Sequence, residues 1–318
     1  MTGGVALITG ISGQDGSYLA ELLLEKGYRV HGLVRDGRLG AAAHLADRLE
    51  QHPGDVRDHR SLTAAVTSCQ PDEVYHLAAV TAPGRSWEDP AGTFDVVAGG
   101  TVRLLQALHE HARGARFFLA GSAEVYGVPA SAPQDEEAPF SPRNPYGAAK
   151  AGAIAAARAF RSGAGLFAGV GILFNHESPR RPLDFLPRKV SWHAAAIATG
   201  REEQLRLGDL DARRDWGSAP DYMDGAWRVL QADRPADYVF ATGRLHSVRE
   251  LVDIAFARAG VAVSGRVVVD EQLVRRDGPV PLVGDAGKAR RELGWEPTTS
   301  FEDLIATMVD ADLQAMSA

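Results

Sequence analysis

Thr9-Gly10-Ile11-Ser12-Gly13-Gln14-Asp15-Gly16 sets three glycines at three-residue spacing between two segments of different periodicity. Before it, Val5 to Thr9 is a short apolar run of the kind a parallel strand buries on both faces. After it, Ser17 to Lys26 reads as a helix with Tyr18, Leu19, Leu22 and Leu23 on its apolar side, and Gly27 ends it. Arg29 to Val34 reads as the next strand. In a strand–turn–helix–strand unit of this kind, Gly10 permits the tight turn and Gly13 lets a diphosphate approach the backbone. Gly16 lets helix and strand pack closely. The free N–H groups and positive end of the helix then suit an anion.

The alternation continues. Helical patterns at Leu62 to Ser68, Thr101 to His111 and Tyr146 to Arg161 separate strand patterns at Glu73 to Leu77, Arg116 to Ala120 and Gly169 to Phe174. The expected fold is α/β, a Rossmann-type doubly wound parallel sheet with a smaller C-terminal substrate-binding domain. After Asn175 the regular alternation stops, and prolines and arginines gather through Arg181. Strand character returns at Tyr238 to Thr242, Ser247 to Ala259 reads as helix, and Asp285 to Ala318 is mostly helical. The expected dinucleotide-binding domain is therefore 1–174 plus about 214–243. The expected substrate-binding domain is 175–213 plus 244–318.

With 45% hydrophobic and 24% charged residues, 318 residues hold ample core material. A net charge of -7 and the lack of a basic stripe argue against a nucleic-acid partner. No apolar run approaches the roughly 20 residues of a membrane span. Met1 to Gly4 leads straight into a strand without a charged leader, and the single cysteine, Cys69, fits a reducing compartment, so a cytoplasmic protein is expected. Cys69 follows an Ala-rich helical segment and is expected simply to pack there.

Cofactor choice depends on the end of the second strand, where an acid suits the ribose of NAD and an arginine the 2′-phosphate of NADP. Val34 stands where the acid is expected and Arg35 follows it, which favours NADP; Asp36 keeps NAD open. Asp55, Val56, Leu77, Ala78 and Ala79 follow strand-like stretches and are expected beside the adenosine and diphosphate.

Tyr146 and Lys150 lie four apart on one helical face. A phenol with a free pKa of about 10 needs a cationic neighbour to serve as a base at neutral pH. The strand ending at Ala120 delivers Ser122 and Glu124 to the carboxyl edge of the sheet, where ligands of such sheets bind. Asn175-His176-Glu177 offers two potential metal ligands. Adjacent side chains on extended backbone point apart, so no metal is expected.

At these residues the chain resembles the extended short-chain dehydrogenase/reductases, and among them the GDP-mannose 4,6-dehydratases. The resemblance is carried by Thr9 through Glu21, Gly171 through Arg181, Leu210 through Gly217, Ala241 through Gly243 and His246 through Glu250. It implies Tyr146 as base, Lys150 as its partner, Ser122 on the reacting hydroxyl and Glu124 as acid/base of dehydration. It implies Gly10, Gly13, Gln14, Asp15 and Gly16 at the cofactor. It implies Asn175, Arg180, Lys189, Arg214 and Arg275 or Arg276 at the substrate nucleotide. The implied substrate is a nucleotide-diphosphate sugar. The departures are Val80-Thr81-Ala82 for the family's Gln-Ser-His, Pro182 after the arginine pair, and Gly278-Pro279 where an acid is expected. A short Arg35-Asp36-Gly37-Arg38 also replaces a longer arginine loop. With that loop altered, and with Ala148, Ala155 and Ala156 on the Tyr146 helix, a homodimer is expected. The alternative activity is that of a 4-epimerase or 4-keto-reductase, which uses Ser122, Tyr146 and Lys150 but leaves Glu124 without a proton to move.

Overall fold

The computed structural model describes residues 3–80, 83–129, 131–274 and 282–317. Its first strand, β1 (Val5–Thr9), is followed by α1 (Gln14–Glu25), β2 (Arg29–Val34), β3 (Glu50–Pro53), α2 (His59–Cys69) and β4 (Glu73–His76). Then come α3 (Pro90–Phe94), α4 (Gly100–His111), β5 (Arg116–Ala120), α5 (Pro145–Gly163) and β6 (Phe167–Leu173). These strands, joined later by β11 (Asp237–Phe240), form one parallel sheet in the order 3-2-1-4-5-6-11. The strand order reverses between β1 and β4, which leaves a crevice above their carboxyl ends.

Three further short strands and one helix follow β6: β7 (Asn175–Glu177), α6 (Leu186–Ala198), β8 (Leu205–Leu207) and β9 (Arg213–Arg214). After them run β10 (Trp216–Ser218), α7 (Ala219–Gln231), β11 (Asp237–Phe240) and β12 (His246–Ser247). The chain closes with α8 (Val248–Arg258), β13 (Val267–Val269), α9 (Gly287–Leu293) and α10 (Phe301–Ser317). The small strands pair off outside the main sheet, β7 with β10, β9 with β12 and β8 with β13. No helix among the described residues is long and apolar enough to cross a membrane.

Two apolar cores result. The larger joins the sheet to α1, α2, α4, α5 and α7 through residues such as Leu7, Leu19, Leu62, Leu104, Phe117 and Val229. The smaller joins α6, α8 and α10 through Val190, Leu251, Phe256, Ile305 and Met308. The stretch 286–295, read from sequence with the smaller body, sends Ala286, Ala289 and Trp295 into the larger core. Trp295 stacks edge-on against Phe240 and donates to the Asp221 carbonyl at 2.7 Å, which pins that stretch to α7 and β11.

Local chemistry sets the element ends. Gly27 has a φ of 81°, the left-handed geometry that stops α1. Ser247 and Glu250 form a reciprocal capping box that starts α8. The helix α1 begins at Gln14, three residues before the apolar pattern does, because Gly13 is its N-cap and its first turn lies inside the glycine motif.

Candidate active site

The glycine turn closes on the adjacent loop. Gly10 has a φ of 78°, and a side chain there would drive into the Ala78 backbone at 2.7 Å. A Cβ on Gly16 would lie 2.3 Å from the Gly10 carbonyl oxygen. Both glycines are thus demanded by the protein's own packing. Gly13 is not: a Cβ there would meet only the Gly10 oxygen, at an ordinary 3.4 Å. What its bareness leaves open is the space over the first N–H groups of α1, the place a diphosphate takes in such folds. The residues present therefore fit a dinucleotide.

The other residues expected at the cofactor divide. Leu77, Ala78 and Ala79 follow β4 at the strand-order reversal, with Leu77 N–H donating to the Thr9 carbonyl at 3.1 Å. Asp55 accepts a fork from Arg57 at 2.7 and 3.1 Å, and that guanidinium holds its carboxyl below the usual range. Val56 is buried against Gly100. Arg35 is exposed, bonded to Asp36 at 3.2 Å, and Arg38 reaches the same carboxylate at 3.3 Å. The Gln14 and Asp15 side chains, expected at the cofactor, turn instead to protein partners. Gln14 bonds the His176 carbonyl at 3.2 Å and accepts from Ser178 at 2.8 Å. Asp15 lies 3.0 Å from His176 Nε2. Their backbone N–H groups lie in the first turn of α1.

His176 is bracketed by two acceptors. Its Nδ1 is 2.7 Å from the Phe174 carbonyl and its Nε2 faces the Asp15 carboxylate. Since neither partner can donate when Asp15 is ionised, both ring nitrogens carry protons and the imidazole is a cation. Burial opposes this charge, but Asp15 raises the imidazole pKa overall; the carboxyl, in turn, is lowered despite its burial. Glu177 points elsewhere, to Arg181 at 3.3 Å. The two side chains diverge, as extended backbone requires.

Beside this cross-link stands the reactive group. Asn144 caps α5 by accepting from Gly147 N–H at 2.8 Å, and Pro145 fills the first helical position, where its missing N–H costs nothing. Tyr146 and Lys150 follow on one face, both buried, at 7% and 4% exposure. Lys150 donates to the Ala120 carbonyl at 2.5 Å, and its Nζ is 5.8 Å from the Tyr146 ring centre. Burial pushes the lysine down to about 8, while Asp15 opposes that shift. Burial pushes the Tyr146 phenol up to about 12; a hydrogen bond with Ser122 and the charge of Arg181 lower it, and Glu124 raises it. Glu124 accepts from the Asn144 amide at 2.7 Å. Ser122, Glu124, Tyr146 and Lys150 therefore meet at the carboxyl end of β5, beside the glycine turn.

The arginine near this group is Arg181, whose guanidinium stacks 3.6 Å over Phe185 and acts on both Tyr146 and Asp15. The family resemblance points to Arg180. That residue instead grips Glu21 with both terminal nitrogens, at 3.0 and 2.6 Å, and lies over the Tyr18 ring. A bidentate carboxylate and an aromatic face hold it against α1. The two arginines sit in a turn after β7, closed by Arg181 N–H donating to the Ser178 carbonyl at 3.1 Å, and nothing in their order says which turns inward.

Of the remaining substrate candidates, Asn175 is half-buried on β7, and Arg214 is half-buried on β9 opposite His246. Lys189 donates to the Arg206 carbonyl at 2.7 Å. Arg275 and Arg276 lie outside the described residues. Asp215, beside Arg214, is a hub that the sequence reading left unassigned. Its buried carboxylate accepts from Thr242 N–H and hydroxyl at 2.9 and 2.6 Å, and from the N–H groups of Gly243 and Gly284 at 3.0 and 3.2 Å. It ties the Ala241-Thr242-Gly243 turn to β9.

A Rossmann sheet, a Gly-x-x-Gly-x-x-Gly turn and a Ser–Tyr–Lys group on β5 and α5 define an extended short-chain dehydrogenase/reductase. Residues 7–308 match the family described as GDP-mannose 4,6 dehydratase. The chain is 42% identical to GDP-mannose 4,6 dehydratase 1 of Arabidopsis thaliana over 98% of its own length and 90% of that protein's. It superposes on the dTDP-glucose 4,6-dehydratase DesIV of Streptomyces venezuelae, solved with NAD and TYD bound, with a TM-score of 0.85 at 28% identity, covering 98% of each chain. It is similar to RMD from Pseudomonas aeruginosa, solved with NADPH, with a TM-score of 0.85 at 25% identity over 98% of this chain and 99% of that one. The chain belongs to the GDP-mannose 4,6-dehydratase family. It is a nicotinamide-dependent nucleotide-sugar 4,6-dehydratase.

Proposed function

We propose that the enzyme acts on GDP-mannose, with NADP as its cofactor, and that the four residues at the end of β5 divide the chemistry. Tyr146 takes the C4 hydroxyl proton while Ser122 bonds the same oxygen. Lys150 supplies positive charge beside the phenol, which burial alone would keep protonated. A bound nicotinamide supplies the hydride acceptor for C4 and the donor for C6. Once C4 is a carbonyl the C5 proton is acidic, and Glu124 takes it as the C6 hydroxyl departs as water.

The observation that carries this reading is the position of Glu124. Its carboxylate is tied at 2.7 Å to the residue that caps the Tyr146 helix, and it is close enough to raise the phenol's pKa. An epimerase or 4-keto-reductase has no proton for a carboxylate at that point. The test is incubation with a panel of nucleotide sugars under mass detection. Loss of one water from GDP-mannose supports the proposal, and turnover without mass loss contradicts it.

The NADP reading rests on Arg35 and Arg38, which converge on Asp36 just beyond β2 and whose charge suits a 2′-phosphate. Asn175 and Arg214 are the proposed contacts to the substrate nucleotide. A homodimer is favoured by exposed small or apolar residues on the two helices, Gly152 and Ala155 on α5 and Val102 on α4. Light scattering checks it, with a stable tetramer as the opposing result.

A further inference from the structure

On the far edge of the sheet from the catalytic group, three potential metal ligands meet. His31 on β2, His52 on β3 and Cys69 at the end of α2 place one ligand atom each within 4.8 Å of one another. They are distant in sequence, so no local spacing announces them, and Cys69 alone read as a packing residue.

The register explains the meeting. His31 pairs with Glu50 and Leu33 with His52, so His31, Glu50 and His52 share one face of the two strands. The end of α2 covers that face and delivers the buried Cys69. The two imidazoles lie 28° from parallel with Nδ1 of His31 2.9 Å from Nε2 of His52. Across a tetrahedral zinc ion with bonds of about 2.0–2.1 Å, two nitrogens lie about 3.3 Å apart, so a few tenths of an ångström of adjustment suffice.

His31 is otherwise hard to account for. It is 3% exposed, and at Nδ1 it has a hydrogen bond only to His52 among the described residues. The nearest carboxylate oxygen, on Glu50, is 3.6 Å from Nδ1, beyond a normal hydrogen bond. Its hydrogen bond at Nδ1 is to another imidazole nitrogen, and two neutral imidazoles in contact share a single proton. A buried polar side chain with so little satisfaction calls for a reason.

We propose that His31, His52 and Cys69 bind a transition-metal ion, with Zn²⁺ the best match. Glu50 or water would complete the tetrahedron. Two imidazoles and a thiolate form a borderline-to-soft set that suits zinc or cobalt and does not suit magnesium or calcium. The cysteine proton is released on binding. The ion would staple β2, β3 and α2 together. Those two strands lead into Arg35 and Asp55, so the clip would brace the loops expected at the adenosine end of the cofactor.

The test uses the full chain stripped with EDTA and then titrated with Co²⁺. The proposal expects one tightly bound ion per chain, visible d–d bands, and a near-ultraviolet thiolate-to-cobalt transition, all displaced by Zn²⁺. Cys69→Ala should abolish the thiolate transition, and His52→Gln should weaken binding at least tenfold. Zn²⁺ should raise the melting temperature of the parent but not of either variant. Circular dichroism in EDTA confirms that each variant folds; His52, half-buried on the edge strand, carries the test alone if Cys69→Ala does not. No ion bound, or binding that survives both changes, overturns the proposal. The second result would place the metal on other histidines, such as His59 or His111.

Discussion

Asn144 uses both ends of its amide: its oxygen caps the helix that carries Tyr146, and its nitrogen holds Glu124 at 2.7 Å. The acid/base and the redox base are thereby set from one residue. Asn144→Ser keeps an oxygen able to cap and removes the donor to Glu124. The helix should remain capped, with a stability loss well under the ~1 kcal/mol of a lost cap. Turnover should fall, by up to about 100-fold if Glu124 moves by roughly 1 Å. Kinetics and thermal melts together check this; a large melt shift with normal turnover would assign Asn144 to stability alone.

Tyr146→Phe removes the oxygen that takes the C4 proton. Turnover should drop by about 10²–10⁴, the usual scale for a lost acid/base, while cofactor affinity stays nearly unchanged. Steady-state rates and a cofactor titration measure the two effects. Near-normal turnover would remove Tyr146 from the mechanism.

The Asp15–His176 pair makes stability depend on pH in a defined direction. The imidazole pKa is raised above its ordinary 6.5, so its contribution is complete below that value and lost as pH rises through the folded value. The Asp15 carboxyl is depressed below 3.8, so its contribution is lost only in strong acid. The melting temperature of the parent should exceed that of His176→Gln most between about pH 4 and 6.5, and the gap should shrink as pH rises above that range. A gap independent of pH would mean that His176 is neutral.

Arg35→Ala should weaken NADP by roughly 1–3 kcal/mol, the scale of a hydrogen bond to a charged group, and leave NAD nearly untouched. Binding titrations with both cofactors measure it. Equal losses, or tighter NAD binding by the parent, would reverse the assignment.

Much of this was legible in the chain because local rules produce it. Val5–Thr9 and Arg29–Val34 form strands over the residues that their apolar runs predict, and Gly10 and Gly16 are needed for contacts of their own backbone. The family and the enzyme class follow from the same motifs. What local rules cannot supply is where long polar side chains end. Gln14, Asp15 and Arg180 lie inside recognisable motifs, yet each finds a partner that only the folded chain brings near. Arg181 differs from Arg180 by one position and a reversal of direction. The meeting of His31, His52 and Cys69 depends on strand register and helix placement, and no spacing along the chain encodes it.

The central claim is that Glu124 moves a proton at C5 after C4 has been oxidised. The direct measurement is turnover of GDP-mannose in D₂O by the parent and by Glu124→Gln, with product mass and deuterium position read together. The parent should yield a product lighter by one water, with solvent deuterium at C5. Glu124→Gln should bind the sugar nucleotide and oxidise C4 but stall before elimination, because an amide cannot accept the proton. A product of unchanged mass without solvent label, together with a Glu124→Gln enzyme of near-parent rate, would contradict the dehydratase account and leave an epimerase or reductase built on the same Tyr146–Lys150 pair.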